Sequence, residues 1–456
     1  MSDTLMISVS GMRGHVGTDL TPELVARHAA ALGAWVRLAT GLRPAVVLGR
    51  DARTSGPMFA HAATAGLMSV GVDVIDLGIV PTPTVQLAVE HHHAGAGLIL
   101  TASHNPIEWN ALKFVGPDGI FLDAADGERV RQLAEQGPPR MGWDGIGQVR
   151  TDPDAVRRHL DAIVGLGMID VTAIRKRRFH IALDCVRGAG ATAMLPLLES
   201  LGCRVSGINL ETDGRFPRAP EPVPENLGEL GDLVRSKSAD LGFAVDPDVD
   251  RLAVVDEKGR AIGEDYTLAF AVRAVLDRRS SSADVPVVVV NLSTSLVVED
   301  AARAGGAQLF RAPVGEANVA RAIRDKGALI GGEGNGGVML PALHIGRDAP
   351  LGVALILHLL AANGVRVSEL VDSAPRYAIV KAKGPRSPEL RPLYDRLRRR
   401  FAEAAADERD GLRLSWPDRW LHVRPSGTEP IVRLIAEAPT PAAAEELVAA
   451  AREHLQ

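Results

Sequence analysis

Three stretches of this chain repeat one grammar: an apolar, β-branched run, a polar loop, then a helix signal. They are Val46-Val-Leu-Gly-Arg-Asp51, Ile181-Ala-Leu-Asp-Cys-Val-Arg187 and Val287-Val-Val-Val-Asn-Leu-Ser293. Short apolar runs bounded by turn residues read as buried strands, and strands alternating with helices imply α/β units on a largely parallel sheet. Each repeat is followed by a second strand that ends in an unusual loop: Thr101–Pro106, Asp246–Arg251 and Gly331–Gly337. The recurrence predicts a coarse triplication, three similar α/β units of roughly a hundred residues each. Ligands of open α/β sheets gather beyond the carboxyl ends of strands, so the three loops are expected to meet in one central cleft.

The chain has 456 residues, too many for one core. Its last stretch breaks the pattern. Ser373 to Lys383 is short and strand-like, Ser387 to Asp407 reads as one charged helix, and Trp420 to Ile435 reads as two strands around a loop. With a closing helix from Pro441, that is a smaller C-terminal α+β unit. The expected boundaries fall near 150, 258 and 372, giving units 1–150, 151–258, 259–372 and 373–456.

Composition narrows the class. Hydrophobic residues make up 46% and charged residues 23%, as in a soluble globular protein. A net charge of −5 argues against nucleic-acid or membrane-surface partners, so an anionic substrate must be met by a local basic site. Cys185 and Cys203 lack metal-ligand spacing, and a reducing, cytoplasmic setting is the expectation. The start of the chain has no basic-then-apolar segment, and Leu351 to Gly364 is too short to span a bilayer.

The chemistry concentrates in four loops. Thr101-Ala-Ser-His-Asn-Pro106 follows an apolar strand and turns sharply, which can hold the Ser103 hydroxyl at the mouth of a cleft beside His104. Asp246-Pro-Asp-Val-Asp-Arg251 carries carboxylates at alternate positions, an oxygen set suited to Mg²⁺. A calcium EF-hand is the rival, with Glu257 at the twelfth position, but Arg251 stands where that loop needs Gly, and the loop leaves a strand. A solvated acidic turn is the plainer reading; three crowded carboxylates repel one another without a cation. Gly331-Gly-Glu-Gly-Asn-Gly-Gly337 lacks the Gly-Lys-Ser/Thr of a P-loop, and its glycines let the backbone approach a ligand with Glu333 and Asn335 facing it. Arg424-Pro-Ser-Gly-Thr-Glu429 offers a guanidinium, two hydroxyls and a free backbone to a phosphate, though a plain hairpin turn uses the same residues. The run His91-His92-His93 reads as a helix end, since consecutive helical side chains diverge.

Read together and in this order, the four motifs resemble the α-D-phosphohexomutase superfamily over nearly the whole chain. The resemblance implies three similar α/β domains plus a smaller fourth around a central cleft. It implies that Ser103 is the phosphoserine that donates to substrate, and that Asp246, Asp248 and Asp250 bind one Mg²⁺ per active site together with the Ser103 phosphate. It places Glu333 and Asn335 in the sugar-binding loop, and Arg424, Ser426, Gly427 and Thr428 in the substrate-phosphate loop. Arg13, Lys113 and Arg251 match active-site cations, and His104 joins the catalytic set. A sugar bisphosphate is the implied intermediate and activator, and a monomer or homodimer acting on a small sugar phosphate is expected. One departure stands out: many members carry a His where this chain has Gly337, which leaves His104 and His344 as substitutes for proton transfer. The sugar loop and Val314-Gly-Glu-Ala-Asn318 look most like phosphoglucosamine mutases of the archaeal-like branch, with phosphoglucomutase or phosphomannomutase the alternative. A silent sugar-phosphate binder would lack the serine or the aspartates, and a phosphatase would release inorganic phosphate.

Overall fold

In the first three units one strand order recurs. A computed structural model of the chain describes residues 5–8, 11–40, 44–279, 284–385, 389–426, 431–453 and 455. In the first unit the order Trp109–Val115, Ala96–Leu100, Ala45–Arg50, Asp73–Ile79 forms the middle of a seven-stranded sheet. The second unit repeats it as Leu252–Val255, Leu241–Val245, His180–Asp184, Arg204–Ile208, and the third as Gly337–Met339, Ile330–Glu333, Val287–Asn291, Gln308–Ala312. In each, three strands run parallel and the fourth turns back antiparallel on the third. The return between those last two strands is, in all three units, one of the loops singled out from the sequence.

The strands form where β-branched residues stack, and helices pack over them. His180–Asp184 and Leu241–Val245 are buried along their whole length, as central strands covered on both faces must be. The helix Ala349–Asn363 is apolar on nearly every face and packs against the helix Glu264–Asp277. Among the described residues, no single helix is long and apolar enough to cross a membrane. The largest hydrophobic core joins Leu183 and Phe243 of the second unit to Leu268, Val288 and Leu355 of the third, so these two units share an interior. The first unit and the last have cores of their own.

The last unit is a five-stranded antiparallel sheet in the order Ala378–Pro385, Ile431–Ala438, Trp420–Pro425, Leu412–Ser415, Ala405–Asp407, with the helices Arg391–Arg400 and Pro441–Arg452. The expected single helix from Ser387 to Asp407 is wrong. The helix stops at Phe401, and Ala405–Asp407 pairs with Arg413–Ser415 as an edge strand, because ladder bonds replace those a longer helix would have made. Cys185 and Cys203 are free thiols.

Candidate active site

The serine loop is built around a fully buried guanidinium. Arg53 donates from Nη2 to the carbonyls of Ser103 at 2.6 Å and Asn105 at 2.7 Å, and from Nη1 to those of Pro106 at 2.6 Å and Trp109 at 3.0 Å. Its Nε rests on Asp51, which also accepts from the Thr101 hydroxyl at 2.7 Å. So strapped, the loop holds Ser103 at a left-handed φ of 48°, and Val249 in the aspartate loop sits at 62°. For a β-branched residue that is an outlier, kept only where the surroundings over-determine it.

The Ser103 hydroxyl donates to Asp246 Oδ2 at 2.7 Å across the interface of the first two units. The aspartates Asp246, Asp248 and Asp250 are buried and turn their oxygens to one point, as a group able to hold a metal ion. Asp248 Oδ1 and Asp250 Oδ1 have no hydrogen-bond partner among the described residues. Buried carboxylate oxygens left without donors suit a hard cation, so these residues fit Mg²⁺. Burial, and then the charges of Asp250 and Asp248, push the Asp246 carboxyl well above its usual range. Burial would do the same to Asp248, but Lys113, 2.7 Å away, holds it well below. Glu257, the twelfth residue of the EF-hand rival, instead accepts from Ser368.

Cations surround this centre. The register sets Arg13 opposite Ala111 and Gly11 opposite Lys113 on adjacent strands, so Arg13 and Lys113 share a face. Arg13 donates to Asn105 at 2.5 Å, and burial lowers its pKa to about 10. Arg251 reaches Glu221 at 2.9 Å, with Nε 3.8 Å from Asp250. His104 Nδ1 lies 3.4 Å from the Ser103 hydroxyl, and burial followed by the charges of Arg251 and Arg13 lowers its pKa well below the usual imidazole range.

The third unit meets the aspartate loop through its backbone. Leu252 N donates to Gly336 O at 3.1 Å, and a Cβ on Gly336, at φ +86°, would lie 2.2 Å from the Leu252 carbonyl. Glu333 accepts from Asn291 at 2.9 Å, from the Gly315 amide at 3.0 Å and from Arg347 at 3.0 Å. Burial would raise its pKa, but Arg347 and those two donors bring it below the usual value. Asn335 bends back on the Gly337 amide at 3.3 Å. His344 is buried with its Nε2 3.0 Å from Asp348, which His159 also contacts at 2.8 Å, while the His344 Nδ1 has no hydrogen-bond partner among the described residues.

In the last unit Arg424 donates to Asp410 at 2.9 Å, and Asp410 accepts from the Val314 amide at 3.0 Å beside the third unit's strand ends. Ser426 is buried and accepts from Arg433 at 3.3 Å. Gly427 and Thr428 lie outside the described residues. Arg53, Glu221, Asn291, Glu316 and Arg347 escaped the sequence reading. The signal for Arg53, Asn291 and Glu316 is a charge or amide at or within a few residues of a strand end; Glu221 and Arg347 stand in longer connections and carry no such mark.

Comparison with known proteins agrees along the length of the chain. Phosphoglucomutase/phosphomannomutase alpha/beta/alpha domains I, II and III match residues 5–140, 157–259 and 263–377, and the C-terminal domain of the same family matches 380–454. A phosphoglucomutase/phosphomannomutase of Thermococcus kodakarensis is 38% identical, covering 96% of this chain and 95% of its own. A relative from Methanopyrus kandleri, named probable phosphoglucosamine mutase, has the same identity and coverage. A crystal structure of a phosphoglucomutase/phosphomannomutase family protein from Burkholderia thailandensis superimposes with a TM-score of 0.84 at 27% identity, covering 99% of this chain and 98% of the other. The chain therefore belongs to the phosphoglucomutase/phosphomannomutase family and is a phosphohexomutase.

Proposed function

We propose that this phosphohexomutase interconverts hexose 6-phosphates and 1-phosphates through a phosphorylated Ser103 and a sugar bisphosphate, with glucosamine phosphate as its preferred substrate. The observation that carries the reading is the Ser103 hydroxyl held 2.7 Å from Asp246 at the edge of a trio of buried aspartates. In the first half-reaction a sugar hydroxyl oxygen bonds to phosphorus as the Ser103 Oγ–phosphorus bond breaks. The hydroxyl proton passes to a neutral base, a role we assign to His104, whose Nδ1 lies 3.4 Å from the Ser103 hydroxyl. The bisphosphate then turns over, and its other phosphoryl group returns to Ser103 Oγ. Arg13, Lys113 and Arg251 offset the charge on the phosphoryl oxygens, which is the main work in this chemistry. Mg²⁺ held by Asp246, Asp248, Asp250 and the Ser103 phosphate supplies Lewis-acid stabilisation of those oxygens.

Glu333 and Asn335 read the sugar hydroxyls in either orientation, and Arg424, Ser426, Gly427 and Thr428 take the phosphate that is not reacting. The name of the Methanopyrus relative supports the amino sugar; that of the equally similar Thermococcus protein favours glucose and mannose phosphates as the alternative.

The test compares kcat/KM on glucosamine, glucose and mannose 1-phosphates, with Mg²⁺ and a trace of the corresponding bisphosphate, beside Ser103→Ala. A preference of about tenfold for glucosamine, near 1.4 kcal/mol, is expected, with the Ala variant at background. A preference for glucose or mannose selects the alternative. Equal, negligible turnover in both proteins would overturn the mutase cycle.

A further inference from the structure

Arg347 sits where the two ends of the cleft meet. Its Nη2 donates to Asp250 Oδ2 at 2.6 Å, its Nη1 to Glu333 Oε2 at 3.0 Å and its Nε to Glu316 Oε2 at 3.0 Å. The side chain is buried, so these charge-assisted bonds act in a low-dielectric interior. Glu316 is itself fixed at the start of the helix Glu316–Lys326 by Gln86 Nε2 and by the Arg347 amide, both at 3.3 Å. One planar fork therefore spans an aspartate of the cation trio and the carboxylate of the sugar loop. A lysine could not do this, because its ammonium is a single point charge.

Gly337 is what makes room for it. A Cβ built on Gly337 would lie 2.3 Å from Arg347 Cδ and 2.8 Å from its Cγ. Any side chain at position 337 and the present course of Arg347 exclude each other, which accounts physically for glycine there. The guanidinium occupies Oδ2 and leaves Asp250 Oδ1 with no hydrogen bond among the described residues, Arg251 Nε standing 3.8 Å off. Asp250 is thus presented to a cation through one oxygen, with a fixed positive charge behind it. Glu333 is pinned by the same group from the side opposite Asn291 and Gly315.

We propose that Arg347 is a positioning residue that sets the two ends of the cleft against each other: it restrains cation affinity at Asp250 and supports sugar binding at Glu333. The inference rests on the roles proposed above for the aspartates and for Glu333. Its signature is two effects of opposite sign, which a merely damaged site would not give.

The experiment measures Mn²⁺ affinity by electron paramagnetic resonance, and KM and kcat by turnover, for the wild type, Arg347→Met and Arg347→Lys. In Arg347→Met the Kd for Mn²⁺ is expected to fall at least threefold while KM for the sugar phosphate rises at least tenfold. Arg347→Lys keeps the charge but not the fork, so Mn²⁺ affinity stays within twofold of wild type and KM still rises. Gly337→Ala, which drives a methyl group against Arg347, is expected to raise KM without tightening Mn²⁺. Folded Arg347→Met with both quantities within twofold of wild type, or with both weakened together, overturns the proposal. Should Arg347→Met not fold, Arg347→Lys decides: an unchanged KM overturns it and a raised KM supports it. The Mn²⁺ arm needs no turnover, so failure of the mutase reading and failure of this inference remain distinguishable.

Discussion

The cleft holds two sets of buried carboxylates, and they are treated in opposite ways. At the serine end Asp246, Asp248 and Asp250 crowd together with two oxygens lacking any donor among the described residues. At the sugar end both oxygens of Glu333 are met by fixed donors from Asn291, Gly315 and Arg347. The first set is a frustrated arrangement that a cation relieves; the second is complete without ligand and offers its remaining lone pairs in a set direction. Burial acts on both, but the result differs: Asp246 is pushed well above the usual range, while Glu333 falls below it. Unmet buried acceptors suit an arriving charge, whereas met ones are already satisfied in place.

The sharpest way to break this comparison is to remove one of the crowded charges. Asp246→Asn keeps an acceptor for Ser103 but takes away a cation ligand, and turnover is expected to fall by about 10²–10³-fold, or ~3–4 kcal/mol. The metal-free variant should nevertheless melt higher than metal-free wild type, because like-charge repulsion is relieved. Mg²⁺ at a hundred times its Kd stabilises the wild type by about 2.7 kcal/mol, and the variant should lose most of that. Calorimetry with chelator and with Mg²⁺ reads both effects. A variant that melts lower than wild type in chelator would refute the frustration argument.

A comparable loss is expected from Arg53→Lys, on stability rather than chemistry. Arg53 is fully buried and ties Asp51 to four carbonyl groups of the serine loop. An ammonium cannot reach them all, and orphaned buried acceptors should destabilise the first unit by about 3 kcal/mol. Urea unfolding followed by the fluorescence of Trp35 and Trp109, both in that unit, checks it; a midpoint unchanged from wild type would show that the strap is dispensable. Glu333→Gln, at the completed end, should be milder. It retains the shape, loses the charge facing Arg347, and is expected to raise KM about tenfold, near 1.4 kcal/mol, with Mn²⁺ affinity little changed. If the Gln variant loses the cation as well, the Arg347 bridge from Glu333 to Asp250 carries more than the charge of the arginine alone.

Much of this site was legible because each loop is a contiguous run after a strand. Ser103, the three aspartates and Glu333 stand out by residue type and spacing, and the repeated grammar implies three like units whose loops meet, though not their strand order. What was hidden depends on contacts between units. Arg53 and Arg347 look like ordinary loop charges until the fold sets one under Ser103 and the other between Asp250 and Glu333. The shared core of the second and third units, which fixes the aspartate loop against the sugar loop, leaves no mark in local pattern. The misread helix after Ser387 has a different origin, within one unit: a helical composition yields to strand pairing across Ala405 and Ser415.

A third kind of carboxylate tests whether surroundings alone set these behaviours. Asp265 lies under the sugar loop, where a Cβ on Gly334 would come within 2.3 Å of its Oδ1. Among the described residues it has neither a cation site nor an arginine clasp; the Ser295 amide donates to it at 2.8 Å. Burial first, opposed by that amide and assisted by Glu437, pushes its pKa up to about 8. An unfolded aspartate titrates near ~4, so between roughly pH 4 and pH 8 the native protein holds a proton that the unfolded chain has lost. Stability from this group is therefore fully present below the unfolded pKa and declines as pH rises, by at most about 1.4 kcal/mol per unit, until it levels off above the folded value. Asp265→Asn removes the titration while keeping the oxygen for Ser295. The difference in unfolding free energy, variant minus wild type, should grow from pH 5.5 to 8 and then flatten. Parallel curves across that window would mean that Asp265 is ionised in the native protein, and that burial beneath the sugar loop does not keep it neutral.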